Sequence, residues 1–299
     1  MFSCVVSMLS HVRRAPQARQ LALSMSSQAG PSALSLKPNT ASVERLADPR
    51  AVFVVTGASQ GIGLQFCTAL LERSQGRVVA LSRQPERAEA LRALSERYPG
   101  RVHGVGVDLC TQPSIGSAAV AIGALTDRVD LLINCAGILH GSTPELMPER
   151  SITACDAEWM QRVYALNAVA PVLLTGALAQ LLAAKPSDRP RIVANLSARV
   201  GSVGDNRLGG WWGYRMSKAA LNMATRNMAI ELKRKRVLAV ALHPGTTATA
   251  LSAPFQKGVR PEKLFTPEFS VECMLKIIES LEDEHSGHLY AWDGELIPF

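Results

Sequence analysis

From residue 51 onward, short runs of almost unbroken apolar residues recur at 51–55, 78–81, 102–107, 129–133, 192–196 and 237–242. A strand exposed on one face alternates apolar and polar side chains, so runs without alternation belong to parallel strands covered on both faces. Amphipathic stretches at about 62–73, 86–97, 113–125, 157–184 and 214–233 separate them and read as helices. Repeated strand–helix units with right-handed crossovers build a doubly wound parallel sheet of the α/β class. The 299 residues, 47% of them hydrophobic and 19% charged, suit one such domain with a sizeable core. The longest apolar stretch, 165–184, carries Asn167, Pro171 and Gln180 and reads as a buried helix rather than a membrane span.

Net charge is +7, but residues 1–50 hold six basic residues against Glu44 and Asp48, which leaves +3 for the remainder. That is too little to argue for nucleic acid. The run Lys233-Arg234-Lys235-Arg236 suits a solvated helix C-terminus, where cations meet the negative end of the dipole. Six scattered cysteines form no Cys-x-x-Cys and have no His at metal spacing, so they read as free thiols and no metal is expected. Residues 1 to about 37 contain Arg, Ser and Ala but no acid, the composition of a mitochondrial or plastid targeting segment. A disordered tail, with the protein left in the cytoplasm, is the other reading. Pro31, Pro38, Asn39 and Pro49 suggest a linker, which places the folded domain at 49–299 and a targeting or disordered segment at 1–48.

The first apolar run enters Thr56-Gly57-Ala58-Ser59-Gln60-Gly61-Ile62-Gly63. Glycines let a backbone turn tightly against a pyrophosphate, and the helix beyond supplies N–H donors for it. The same turn could be only a tight corner, but its place between a strand and a helix favours a nucleotide. The second strand ends in Ser82-Arg83, with no acid for a free ribose 2′-hydroxyl. A guanidinium there suits a 2′-phosphate, so NADP(H) is expected over NAD(H). Farther on, Tyr214 and Lys218 stand four residues apart, on one face of a helix. An ammonium one turn from a phenol is expected to lower the phenol's pKa and make it usable for proton transfer.

Taken in order, these motifs resemble the short-chain dehydrogenase/reductase superfamily over about five-sixths of the chain. The resemblance rests on the glycine turn, Asp108-Leu109, Asn134-Cys135-Ala136-Gly137, Asn167, Ser197, Tyr214-x-x-x-Lys218 and Pro244-Gly245-Thr246. The stretch from Gly209 to Asn222 and the ending from Ala291 to Phe299 are similar to the C-factor-like subgroup and to sniffer-type carbonyl reductases. Two departures stand out: Cys135 where a second Asn is usual, and a long gap between Ser197 and Tyr214.

The resemblance implies a Rossmann-type single domain that passes hydride between a nicotinamide and a carbonyl or alcohol. It assigns proton transfer to Tyr214, pKa lowering and ribose binding to Lys218, an oxyanion donor to Ser197 and a proton path to Asn167. Gly57, Ser59, Gln60, Gly61, Ile62 and Gly63 would line the phosphates and ribose. Asp108 and Leu109 would meet the adenine, with Asn134, Ala136 and Gly137 along the ribose. Pro244, Gly245 and Thr246 would close over the carboxamide, and a mobile segment from Thr249 to Thr266 would cover a small-molecule aldehyde or ketone. A homodimer or homotetramer is common in the superfamily. A nucleotide-binding regulatory protein with vestigial redox activity is the second reading, and the intact set Asn167, Ser197, Tyr214 and Lys218 argues against it.

Overall fold

The structure is a computed structural model that describes residues 34–141, 143, 146–186 and 188–299. Most of the expected targeting segment lies outside the described residues.

The apolar runs become strands β1 (Val52–Thr56), β2 (Arg77–Ser82), β3 (Val102–Gly106), β4 (Leu131–Asn134), β5 (Arg191–Leu196) and β6 (Val237–His243). Two short strands, β7 (Thr246–Thr247) and β8 (Leu264–Phe265), pair with each other, and β9 (Leu289–Ala291) and β10 (Leu296–Ile297) extend the main sheet. That sheet runs β3-β2-β1-β4-β5-β6-β9-β10, with every pair parallel except β9 with β10.

Helices cover both faces. Phe53, Val55, Ala194 and Leu242 point into one core with α2 (Gly61–Arg73), α3 (Glu89–Arg97) and α8 (Pro267–Glu279). Val52, Val54, Val193 and Ala239 point into the other, with α4 (Gln112–Leu125), α6 (Ala170–Ala177) and α7 (Trp212–Glu231). Burial on both faces explains why these strands read as continuous apolar runs.

Two expectations need correction. The helix expected over 157–184 is interrupted: α5 (Ala157–Tyr164) passes into a π-helical turn at Ala165–Val169 before α6. The cause is Asn167, which is fully buried and hydrogen-bonded to the backbone of Ile138 rather than held at a regular helical position. Residues 34–48 are not a linker but part of the body. Asn39 caps α1 (Thr40–Ala47) by accepting from Ser42 N at 2.9 Å and donates to Leu281 O at 2.6 Å. Arg45, only 4% exposed, donates to Pro190 O at 2.9 Å. Pro38 and Asn39 thus mark a helix start, which their composition left indistinguishable from a linker.

Candidate active site

The strand order reverses between β1 and β4, and in open α/β sheets such a crevice at the carboxyl ends of strands receives ligands. The glycine turn lines it. Gly57 and Gly61 have φ of 66° and 55°, the region that favours glycine. A Cβ on Gly63 would lie 2.3 Å from Gly57 O, so the turn closes on itself without room for a side chain. Gln60 provides no side-chain cap to α2 and the first turn holds no acid, which leaves its N–H groups available to an anion. Ser59 and Ile62 flank the turn half-buried, and Gln60 is exposed. Thr56 Oγ1 accepts from Cys135 N at 2.9 Å and Ala136 N at 3.0 Å, locking the ends of β1 and β4 together.

At the tip of β2 the Ser82 hydroxyl is buried without a partner among the described residues, and Arg83 is exposed beside it. An orphaned hydroxyl and a free guanidinium fit a 2′-phosphate, and the glycine turn fits a pyrophosphate. The donor set of this crevice therefore suits a phosphorylated dinucleotide. Asp108 is exposed on the loop after β3, its Oδ1 accepting from Cys110 N at 3.0 Å, and Leu109 packs half-buried beside it. The buried Asn134 side chain donates to Asn195 Oδ1 at 2.8 Å, tying β4 to β5. Ala136 and Gly137 continue along the crevice half-buried; Gly57 packs on Ala136, where a Cβ on Gly57 would lie 3.0 Å from Ala136 Cα. Gly245, with φ of 74°, lets Pro244–Thr246 turn under Phe265 and Trp292; a Cβ there would meet the Phe265 ring at 2.5 Å. Thr249 reaches over Gly61, within 3.5 Å of where a Cβ would sit.

Helix α7 brings Tyr214 and Lys218 to the same crevice. Lys218 is 4% exposed; its Nζ donates to Leu196 O at 2.7 Å and lies 5.6 Å from the Tyr214 ring centre. Burial pulls its pKa down to about 8 and pushes that of Tyr214 up to about 12. The expected lowering of the phenol by the ammonium does not occur. The ammonium sits over the ring and bonds a backbone carbonyl, so desolvation decides the phenol's proton. Asn167 connects these parts: Oδ1 accepts from Ile138 N at 2.9 Å, and Nδ2 donates to Ile138 O at 2.8 Å and Ser217 Oγ at 3.1 Å. Ser217 Oγ in turn donates to Tyr214 O at 2.8 Å.

Ser197 is not brought to the phenol. Along β5, Val193 and Asn195 face α7, and Ser197 shares their parity. Its hydroxyl donates to Asn222 Oδ1 at 2.6 Å, and Asn222 Nδ2 donates to Gly201 O at 3.2 Å. Both side chains are buried beneath the helix, so the oxyanion role expected of Ser197 has no geometry behind it. Counting parity from Asn195 would have revealed this.

An aromatic wall stands over Tyr214. Trp211, at a strained φ of 51° between two left-handed glycines and α7, meets Tyr214 edge-on at 6.3 Å and Phe255 at 5.0 Å. Phe255 also meets the His140 ring at 6.0 Å. Glu149 fixes the start of this helix by accepting from Gly213 N at 3.2 Å. Trp212 points outward, 36% exposed. Trp292 packs on Phe265 and Phe269 at 4.6 and 5.6 Å. His243 is kept neutral, its pKa pushed down to about 4 by burial first and Arg199 second. Sequence reasoning missed His140, Ser217 and Asn222, which belong to no spaced motif of their own, and gave Ser82 no role beyond its place before Arg83.

Residues 51–260 match the family model described as short chain dehydrogenase. The C-signal protein of Myxococcus xanthus is 34% identical over 181 residues, covering 60% of this chain and 99% of that protein. Among solved structures, the NADPH-bound carbonyl reductase from chicken fatty liver superposes with a TM-score of 0.74 at 32% identity, covering 84% of this chain and 99% of that one. The carbonyl reductase Sniffer of D. melanogaster gives 0.73 at 26% identity, with the same 84% and 99% coverage.

Proposed function

The chain belongs to the short-chain dehydrogenase family and is an oxidoreductase, and from that premise we propose that it reduces aldehydes or ketones with NADPH. The carrying observation is that α7 brings Tyr214 to the crevice lined by the glycine turn, with Lys218 Nζ 5.6 Å from its ring centre. There the phenol is placed to donate its proton to a substrate oxygen that gains negative charge.

The chain's own residues supply binding and the proton. The turn Gly57–Gly63 and the first N–H groups of α2 hold the pyrophosphate, while the Ser82 hydroxyl and Arg83 take the 2′-phosphate. NADPH bound there would supply the hydride. Lys218, still an ammonium at pH 7, stabilises negative charge that develops between the phenol and the substrate oxygen. Asn167 fixes the loop of Ile138 against α7, which keeps the crevice wall and the phenol in register. Support for NADPH comes from the Ser82-Arg83 pair and from the NADPH-bound carbonyl reductase of chicken fatty liver. No helix among the described residues is long and apolar enough to cross a membrane.

We also propose homodimerisation through α7. Met216, Met223 and Ile230, spaced by seven residues, are 51%, 63% and 61% exposed and form one apolar stripe. Light scattering on purified protein tests it: a monomer at micromolar concentration would refute it.

A panel of small aldehydes, ketones and quinones, followed by loss of NADPH absorbance, tests the activity. Turnover of several members is expected. Tight NADPH binding with no turnover across the panel would instead support a regulatory nucleotide-binding protein.

A further inference from the structure

On the wall above Tyr214, the His140 side chain carries a buried hydrogen-bonding atom with no partner among the described residues. Its Nδ1 lies 2.8 Å from Gly141 O, and a carbonyl oxygen only accepts. The proton of the neutral ring therefore sits on Nδ1, and Nε2 is a bare acceptor. That Nε2 is buried and has no partner among the described residues. Buried acceptors are nearly always satisfied, so one left open beside a reaction site calls for a donor.

Its placement says where the donor comes from. The backbone two residues earlier, at Ile138, is clamped on both sides by Asn167, and Gly137 lies against Lys218 Nζ, 3.7 Å from where its Cβ would be. Three residues span at most about 10 Å, so the imidazole is anchored within a small molecule's length of Lys218. The ring also shares Phe255 with Trp211, which in turn meets Tyr214. Rings tilted on one another by 53° to 78°, with this acceptor among them, form an apolar wall with a polar mark.

We propose that His140 recognises a hydroxyl on the substrate: its Nε2 accepts from a hydroxyl a few bonds from the reacting carbonyl, whose apolar body lies against Trp211 and Phe255. The substrate class is then aryl hydroxyketones and hydroxyaldehydes. This rests on the carbonyl-reductase reading above. His140 acts in specificity and takes no part in the proton or hydride transfer.

The test compares 2-hydroxy-1-phenylethanone with 1-phenylpropan-1-one, which has the same size but no hydroxyl, as substrates with NADPH. The wild type should favour the hydroxyketone in kcat/KM by about ten- to hundredfold, the range of one well-placed bond to a buried acceptor. His140→Phe should bring that ratio close to one by weakening the hydroxyketone alone, chiefly in KM. His140→Gln, which keeps an acceptor, should restore part of the preference. Equal loss on both ketones in His140→Phe, or no preference in the wild type, would overturn the proposal. Should neither ketone turn over, the activity reading fails separately, and binding decides the His140 question. Quenching of tryptophan fluorescence by 1-phenylethane-1,2-diol must then be tighter than by 1-phenylpropan-1-ol in the wild type and equal in His140→Phe; equal quenching in the wild type would refute it.

Discussion

Replacing Lys218 with Met removes a charge from a place that tolerates it poorly. The side chain is 4% exposed, is held by one bond to Leu196 O, and has no salt-bridge partner among the described residues. Burial lowers its pKa from 10.5 to about 8. At about 1.4 kcal/mol per pH unit, holding that charge in the folded state costs on the order of 3 kcal/mol. Met is similar in length and carries no charge, so the variant should be more stable than the wild type near neutral pH while losing activity.

The pH dependence identifies the cause. Because the folded pKa is depressed, the cost is present in full below about pH 8 and is gone above the unfolded value of 10.5, where both states are neutral. Between about pH 7 and about pH 9.5 the stability advantage of the variant should shrink by about 2 kcal/mol. Cys67 and Cys135, whose thiols burial pushes up, stay protonated in both folded proteins over this range, so that even Cys135, which Lys218 pulls down, contributes little to the difference. Urea unfolding of cofactor-free wild type and Lys218→Met at the two pH values measures it. A gap that stays constant with pH, or a variant less stable than wild type at pH 7, would refute the buried-ammonium reasoning.

Other substitutions separate the remaining roles. Ser197→Ala should leave kcat within about fivefold and cost about 1–2 kcal/mol of stability, because Asn222 Oδ1 loses its donor; a loss of about a hundredfold in kcat at unchanged stability would return the serine to the chemistry. Arg83→Ala should weaken NADPH by about tenfold or more and leave NADH nearly unchanged in fluorescence titration, and equal weakening of both would remove the 2′-phosphate assignment.

What could be read from the sequence depended on whether a signal was local. Strands β1, β2, β4, β5 and β6 declared themselves because burial on both faces leaves a run such as Val52–Thr56 nearly without polar residues, whereas β3 lies at the sheet edge and is only partly buried. The glycine turn was legible because close backbone approach admits no Cβ at Gly63. Four features were not legible. The π-helical turn at Asn167 depends on Ile138, 29 residues away. Helix α1 depends on Leu281 and Pro190, far along the chain. The proton affinity of Tyr214 depends on burial, and no i, i+4 spacing reports that. Ser197 was a different case: strand parity carried the answer, and the motif order pointed the other way. His140 belongs to no spaced pattern and emerges only once Phe255 and Trp211 are in place.

The most direct measurement of the central claim follows the transferred atom. NADPH deuterated at the reactive nicotinamide carbon is incubated with a ketone that the protein turns over, and the alcohol is analysed by mass spectrometry. Wild type should place deuterium on the carbinol carbon, and Tyr214→Phe, with cofactor binding intact, should do so slower by about a hundredfold or more. Label arriving in the alcohol at the same rate in both proteins would contradict the role given to the Tyr214 phenol.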